Sequence, residues 1–525
     1  MGLRPSRAFA HTLQSVAARL PGARLTGQAT VTGLTLDSNQ VQPGDLFVAL
    51  SGQSAHGARF VPQALAAGAL AVLCDDAGAD LIASPAPLVV VPQVRERLGE
   101  LAAWFYGYPA KRLITVGVTG TNGKTTVAQM VATALTNPEG PDTVALLGTT
   151  GARVAGRQLG QVRTTPEAPE LQATLAAALE LGVTSLVMEV SSHALSQHRV
   201  DGLVFDVVGF TNLSRDHLDY HHSMEDYFQA KAALFTSTHA RAGVVDLDCA
   251  WGQRLAHLAQ VPVQTLAEGA EHSPEPAAGT WHYRILRQLP TGSEFELIGP
   301  AEPAVRHTRP IEPGRLVVQL PMLGSFNVAN AALSLVVAMA AGAPADQAAA
   351  ALAQMAPVPG RMEVVPGPAG APTVLVDYAH APDSLAHALA ALRPHVAGQL
   401  IAVFGAGGDR DHGKRRLMGA AGAKQADRVV ITDDNPRSED PAAIRAQVMA
   451  GARAAAGLAT TIVEIPNRAE AIEQAIAGAQ PGDLVALLGK GHETTIDYAG
   501  QLVDHNDKAA AAAALARRPV NDARR

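Results

Sequence analysis

Leu113-Ile-Thr-Val-Gly-Val-Thr-Gly-Thr-Asn-Gly-Lys-Thr-Thr126 decides the fold. It reads as a short apolar strand running into a glycine-spaced loop that closes on a lysine and paired threonines. Gly120 and Gly123 let backbone N–H groups turn inward on an oxyanion, Lys124 supplies a point charge, and the Thr125 hydroxyl suits the magnesium of a nucleotide. Val127 to Leu135 is expected as a helix whose N-terminal dipole faces the same anion. The strict spacing G-x-x-x-x-G-K-[ST] is missed by one place, because Val118 stands five before Gly123 and the glycine is Gly117. The stretch is therefore a variant phosphate loop, and strand, glycines, Lys-Thr-Thr and helix together point to a bound nucleotide.

Outward from it the chain repeats one plan, an apolar strand that breaks into polar residues at its C-terminal end. Ser185-Leu-Val-Met188 leads into Glu189-Val-Ser-Ser-His193, and Asp206-Val-Val-Gly-Phe-Thr211 into Asn212-Leu-Ser-Arg-Asp-His-Leu-Asp219. Open parallel α/β sheets collect ligands beyond the carboxyl ends of their strands, so these segments are expected to meet at the cradle. Glu189 then stands as a direct or second-layer ligand for the magnesium on Thr125, with His217 beside it. Either residue alone reads as a solvated carboxylate or a helix-cap histidine. His221-His222 reads as an exposed loop, and Lys231, on the helix-like Phe228 to Leu234, reads by itself as a solvated lysine.

Before the cradle, residues 11 to 20 look helical. Leu36 to Ala49 is a polar loop turning at Pro43-Gly44 into a buried strand, with an Asx-type turn at Asp37 and Ser38. Phe60 to Ala67 and Ala69 to Leu73 continue an α/β pattern. Beyond the cradle region, Glu268 to Pro313 reads as decoration with strand-like pieces such as His282 to Leu286. Leu323 opens an alanine-rich helix ending near Gly342, and Pro357 to Gly360 looks like a linker. Four further strand ends follow: Asp377-Tyr-Ala-His380, Gly405-Ala-Gly-Gly-Asp-Arg-Asp411, Asp433-Asp-Asn-Pro-Arg437 and Gly489-Lys-Gly-His-Glu493. Their Gly, Asp, Arg and Glu suit a small zwitterion, whose carboxylates meet arginine forks and whose amine meets a carboxylate.

At 525 residues the chain suits about three domains of ~100–200 residues each. Hydrophobic residues at 47% and charged residues at 17% give a globular protein with a sizeable core, and a net charge of −7 argues against nucleic acid as principal partner. Cys74 and Cys249 lack metal-ligand spacing and do not make a disulfide framework, which fits a reducing cytoplasm. No run reads as a signal peptide or a membrane span.

In this one order, Gly120-Thr-Asn-Gly-Lys-Thr-Thr126, Met188-Glu-Val-Ser-Ser-His193, Asn212 to Asp219, Asp377 to His380 and Asp434-Asn-Pro-Arg437 resemble the Mur ligases over nearly the whole chain. The resemblance implies three α/β domains: a small uridine-binding domain over 1–112, a central P-loop-type, mostly parallel ATPase domain over 113–357, and a Rossmann-like amino-acid-binding domain over 358–525. It implies an ATP-dependent, ADP-forming amide ligase of peptidoglycan precursor synthesis, monomeric and cytoplasmic. The acceptor would be UDP-N-acetylmuramoyl-L-alanyl-D-glutamate, the incoming amino acid meso-2,6-diaminopimelate, and the cofactor Mg2+. L-Lysine as amino acid, a folylpolyglutamate-type ligase, and a regulatory or assembly protein on the same fold stay as alternatives. The uridine-type N-terminal region argues against the folate reading.

Carried over residue by residue, Leu36, Ser38, Gln53, Ser54 and Ala55 would touch the uridine end, while Thr164, Thr165, Ser191, Gln197 and Arg199 would hold the muramoyl peptide. Gly120, Thr121, Asn122, Gly123, Lys124, Thr125 and Thr126, with Asn330, Arg361 and Asp377, would bind ATP. Glu189 and His217 resemble magnesium ligands alongside Thr125. Lys231 resembles the family lysine that CO2 converts to a carbamate, an anionic ligand for a second magnesium. Lys124, Glu189, His217 and Lys231 would thus carry catalysis. Arg410, Asp434, Asn435, Pro436, Arg437, Gly489 and Glu493 would receive diaminopimelate, with Pro436 stiffening the loop. Two positions depart from the pattern: Asn39 stands where the family often has Arg, and Arg163 precedes Thr164 where relatives can have Asn.

Overall fold

The structure is a computed structural model that describes residues 3–52, 55–136, 140, 142–160, 163–269, 280–289, 292–300 and 314–518. Its centre is an 11-stranded sheet. The cradle strand Ile114–Thr119 lies inside that sheet, parallel to Ser185–Glu189 on one side and Phe205–Phe210 on the other. Val118 pairs with Glu189 and with Gly209, so the three strands end level with one another. Both faces of these strands are apolar, as a parallel sheet covered on two sides requires. Val116, Val118, Val187 and Val207 enter the core beneath helices Lys124–Leu135 and Ser325–Ala340. Leu186, Met188, Phe205 and Phe210 enter the opposite core with Leu171 and Leu175 of helix Ala168–Glu180.

The parallel run continues through Ala240–Asp246, Val263–Glu268 and Thr280–Leu289. Antiparallel strands finish both edges: Gly151–Val154 and Arg157–Leu159 on one, Gly292–Ile298 and Arg315–Leu320 on the other. The stretch expected as decoration after Glu268 is thus, in its described parts, sheet edge. Trp281, Tyr283, Phe295, Leu297, Val318 and Leu320 alternate inward with the two-residue period of a strand and join the central core.

A five-stranded sheet precedes this one, with Arg24–Thr26 antiparallel at its edge and Leu88–Val90, Ala71–Cys74, Asp45–Ala49 and Gly33–Thr35 parallel. Ala168, Ala173 and Ala176, on the second face of helix Ala168–Glu180, pack into its core. The expected helix over 11–20 begins only at Leu13, because His11–Thr12 pair with Thr30–Val31 and the Thr12 hydroxyl caps the helix. A six-stranded sheet follows, with Glu363–Val365 antiparallel at the edge and Thr373–Asp377, Leu484–Leu488, Leu400–Phe404, Arg428–Ile431 and Thr461–Glu464 parallel. Among the described residues no helix is long and apolar enough to cross a membrane.

Candidate active site

The cradle strand ends at Gly120 with φ 150°, and Gly123 caps the following helix at φ 85°. Both positions require glycine. A Cβ at Gly120 would collide with Thr211 Oγ1, and one at Gly123 with Asn330 Oδ1. Lys124, the first helical residue, folds back so that Nζ donates to Gly120 O at 3.0 Å and Thr121 O at 2.9 Å. Burial pushes its pKa down, and Glu189 and Asp216 only partly offset that. A half-buried ammonium that gives its hydrogen bonds to backbone oxygens of its own loop is poised for an arriving anion.

Lys231 lies against the same loop. Expected as a solvated lysine, it is 1% exposed; Nζ donates to Gly120 O at 2.7 Å and stands 4.6 Å from the Tyr227 ring centre. Burial first, and the neighbouring Lys124 charge second, hold its pKa well below the ordinary lysine value. His221 is likewise buried, contrary to the exposed-loop expectation, bonded to Ser192 Oγ at 2.9 Å, while His222 is exposed. His217 sits at φ 53°, and burial brings its imidazole down to about 3 despite Asp216, so the ring is neutral at ordinary pH.

Glu189 ends its strand 1% exposed, taking the Thr149 N–H at 2.7 Å and the Thr149 hydroxyl at 3.0 Å. Thr125, Glu189 and His217 line one cavity of about 1050 Å³. Among the described residues no group of three or more His, Cys, Asp and Glu side chains is gathered closely enough to hold a metal ion by itself. A hydroxyl, a carboxylate and a neutral imidazole beside a phosphate cradle nevertheless fit magnesium. That ion takes few protein ligands and completes its shell with phosphate oxygens and water.

The same cavity is lined by Thr121, Asn122, Thr126, Asn330, Arg361 and Asp377. Arg361 crosses from the third sheet's side: Nη2 donates to Thr125 Oγ1 at 3.0 Å, and the guanidinium stacks 4.4 Å from the Tyr378 ring centre. Asp377 is tied to its own loop, accepting the Met362 and Ala379 N–H groups at 2.8 Å each. Burial raises its pKa, with Arg361 opposing. Two further bridges cross the same gap, Arg215 Nε to Asp411 at 3.2 Å and His380 Nε2 to Asp216 at 3.7 Å. Burial would raise Asp216, but the His380 bond, with His217 and Lys414 nearby, outweighs it and holds the carboxyl well below its usual value. Nothing local marks Asp216, His380 and Arg215 as a bridging set, because pairing across a gap leaves no signature in a sequence.

Thr164, Thr165, Ser191 and Arg199 also face the large cavity. Thr165 Oγ1 donates to Glu189 O at 2.9 Å and accepts the Ser191 N–H at 3.1 Å. Arg199 is braced by Thr165 O at 3.2 Å, Glu167 at 3.1 Å and Gln197 Oε1. Gln197 stands behind Arg199 and donates to Tyr220 Oη at 3.2 Å. The residues expected at the uridine end lie apart in the first sheet's loops. Ser38 Oγ donates to Gln63 Oε1 at 3.3 Å, the Asx turn forms through Asn39 N to Asp37 Oδ1 at 2.9 Å, and Leu36 packs on the first core. Ala55 follows the same loop, and neither it, Leu36 nor Ser38 lines the large cavity. Gln53 and Ser54 lie outside the described residues.

A second cavity of about 580 Å³ opens between the third sheet's loops and the hairpin 151–159, lined by Asn435, Arg437, His492 and Glu493 on one wall and Thr149, Gln158 and Gly160 on the other. Arg437, at φ 53°, donates Nη1 to Gly408 O at 2.6 Å. Asn435 Nδ2 donates to Glu493 Oε2 at 2.9 Å, and Lys490 Nζ to the same oxygen at 2.6 Å. Asp434 is buried; Gly489, at φ 109°, lies so close that a Cβ there would stand 2.8 Å from Asp434 Oδ2. Arg410, expected beside Arg437, lines the large cavity instead. His492 Nε2 donates to Thr149 O at 3.1 Å, so Thr149 touches both cavities. Thr149 and Gln158 escaped the sequence reading because their hairpin reads as plain strand and turn.

Three α/β sheets, a variant phosphate loop on the middle one, and a second, charged cavity between the middle and third sheets define an ATP-type ligase architecture. Residues 30–106 match the Mur ligase family catalytic domain, 118–338 the Mur ligase middle domain, and 360–491 the Mur ligase glutamate ligase domain. The chain belongs to the Mur ligase family. It is 43% identical, over 96% of its length and 96% of the other's, to the UDP-N-acetylmuramoyl-L-alanyl-D-glutamate--2,6-diaminopimelate ligase of Streptomyces avermitilis. It is 41% identical to the UDP-N-acetylmuramyl-tripeptide synthetase of Leifsonia xyli, over 98% of this chain and 97% of that one. A solved structure of a UDP-N-acetylmuramoyl-L-alanyl-D-glutamate--2,6-diaminopimelate ligase matches it with a TM-score of 0.60 at 33% identity, over 92% of this chain and 94% of that one.

Proposed function

We propose that the chain joins meso-2,6-diaminopimelate to the D-glutamate γ-carboxylate of UDP-N-acetylmuramoyl-L-alanyl-D-glutamate, using ATP, in peptidoglycan precursor synthesis. The observation that carries it is Thr149: its N–H and hydroxyl hold Glu189 in the phosphate cavity, and its carbonyl meets His492 of the amino-acid pocket. A carboxylate is a poor electrophile. Phosphorylation of the γ-carboxylate by ATP makes an acyl phosphate, and the amine then attacks its carbonyl carbon and expels phosphate.

In this reading the glycine turns and the Lys124 ammonium receive the ATP phosphates, and Lys124 neutralises charge on the moving phosphoryl group. Thr165, Ser191 and Arg199 orient the muramoyl peptide beside Glu189, and Leu36, Ser38 and the loop 53–55 take the uridine. Magnesium, held by Thr125, Glu189 and His217 and by a Lys231 carbamate, would screen the phosphate oxygens. Burial supports the carbamate, since CO2 adds only to an uncharged amine and Lys231 is pushed toward that form. The divisions 1–112, 113–357 and 358–525 assign acceptor, ATP and amino acid to one domain each. The chain is read as a monomer, and the free Cys74 and Cys249 suit a cytoplasm.

The test is kcat/KM for meso-diaminopimelate and L-lysine with wild type and Arg437→Ala. Arg437 keeps Nε and Nη2 for a distal carboxylate, since Nη1 is bound to Gly408 O. Breaking such a buried charge pair costs about 2–5 kcal/mol, roughly tens to thousands fold in kcat/KM at ~1.4 kcal/mol per decade. Diaminopimelate use should fall by that factor and lysine use hardly change. A wild type preferring lysine, or a variant losing both equally, overturns the assignment.

A further inference from the structure

Behind the smaller cavity a lysine is enclosed completely. The Lys490 side chain is 0% exposed and does not line the pocket, yet its ammonium meets three acceptors that belong to the pocket loops. Nζ stands 2.6 Å from Glu493 Oε2, 3.0 Å from Asn435 Oδ1 and 3.9 Å from Asp434 Oδ1. Gly489 at φ 109° and Gly491 at φ 53° flank it, and that reversal turns the lysine inward instead of toward solvent.

The donors and acceptors settle one orientation. An ammonium only donates, so Asn435 presents its oxygen to Lys490; the same oxygen accepts the Asp497 N–H at 3.1 Å. The Asn435 amide nitrogen is therefore directed at Glu493 Oε2, 2.9 Å away. Glu493 Oε2 thus receives two donors, while among the described residues Oε1 has only the Tyr378 hydroxyl at 3.4 Å. One carboxylate oxygen is consumed by the chain, and the other stays available to a ligand.

We propose that Lys490 is a positioning residue for the incoming amino acid: by fixing Glu493 Oε2 and the Asn435 amide, it presents Glu493 Oε1 to the substrate's ammonium. It also screens Asp434 and Glu493 from each other, so the loops that carry them keep one arrangement without substrate. A purely structural lysine would not need to sit among the acceptors of one pocket; replacing it alone leaves Asp434 and Glu493 without their cation, a stability cost that the comparison of KM values separates from a loss of amino-acid binding. The inference rests on the pocket being the amino-acid site.

The experiment compares wild type, Lys490→Met and Lys490→Gln in KM for amino acid, ATP and acceptor, together with acyl-phosphate formation from ATP and acceptor alone. Met should raise the amino-acid KM about tenfold or more and leave the other two within about threefold, with acyl-phosphate formation kept, because only one substrate's binding has lost a partner. Gln retains an N–H donor for Glu493 and should fall between Met and wild type. An unchanged amino-acid KM in Met, or all three KM values rising in parallel, overturns the role. If Met does not fold, Gln decides: its amino-acid KM must rise while the others hold, and a wild-type value sinks the proposal. Should the wild type turn over an amino acid other than diaminopimelate, the proposed function fails, and the Lys490 comparison is read with that amino acid.

Discussion

The two lysines held against the phosphate loop and the buried cations of the third sheet are held in opposite ways. Lys124 and Lys231 give their hydrogen bonds to the backbone oxygens of Gly120 and Thr121, and burial drives both pKa values down. Around the third sheet four enclosed cations meet side-chain carboxylates: Lys490 with Glu493, Arg468 with Asp507 at 2.7 Å, Arg415 with Glu439 at 2.7 Å, and Arg445 with Asp433. The first arrangement is completed by an anion from outside, as a phosphate would supply. The second is complete within the chain and braces the third sheet's loops from behind instead of offering an unanswered charge to a ligand. Cations of the first kind should therefore be read out in activity, and those of the second in stability or selectivity.

The largest expected effect is at Lys124. Lys124→Ala should lower kcat by about 10³-fold, the scale of losing a charge donor at a developing oxyanion. Its Tm without nucleotide should stay equal or rise, because the folded state bears the cost of desolvating this ammonium. Near-normal turnover at saturating ATP, or a large fall in Tm, breaks the contrast.

Lys231 comes next. Lys231→Ala should cost about 10²-fold in kcat, the several kcal/mol of a lost charge-stabilising ligand. Added formate or acetate should recover part of it, because a diffusible carboxylate can stand where a carbamate would. Full activity in the unrescued variant would remove Lys231 from the chemistry.

How much of this could be read in advance follows from distance along the chain. The cradle was legible because Gly120 to Thr126 are contiguous, and the strand ends around it because parallel strands finish level. Lys231 was legible only through the family resemblance, since its burial depends on an oxygen 111 residues away, and on its own helix it has the spacing of a solvated side chain. His221 was misread for the same reason, its partner Ser192 lying on another helix. In the third sheet the loops were recognised but their grouping was not: Arg410 and Arg437 sit on neighbouring strand ends and face different cavities, and half of the smaller pocket comes from a hairpin of the central sheet. Lys490 did carry a local signal, a lysine between two glycines after a buried strand, which only the positive φ angles on both sides make meaningful.

The smallest effect belongs to the charges the chain completes for itself. Glu439 accepts from Arg415 Nη1 at 3.0 Å and Nη2 at 2.7 Å, and from the Asp409 N–H at 2.6 Å, tying the 405–411 loop to the segment after Arg437. The Arg415 bonds, chiefly, hold its carboxyl down from 4.5 to about 2. A carboxyl whose folded pKa is depressed binds its proton less readily when folded, so the stability it contributes is fully present above about pH 4.5 and is lost as pH falls toward 2. Glu439→Gln removes the charge at every pH. The variant should therefore melt below wild type at neutral pH, by about 2–4 °C per kcal/mol lost, and the gap should close between pH 4.5 and 2. Neither Glu439 nor Arg415 lines either of the two cavities described, so kcat should stay within about twofold, as for substitutions away from reacting groups. Thermal melts from pH 7 down to pH 2, beside turnover at pH 7, check both halves. A gap that persists at pH 2, or a kcat loss matching that of Lys124→Ala, would mean that the third sheet's charges are not complete within the chain, and the contrast with the cradle would fail.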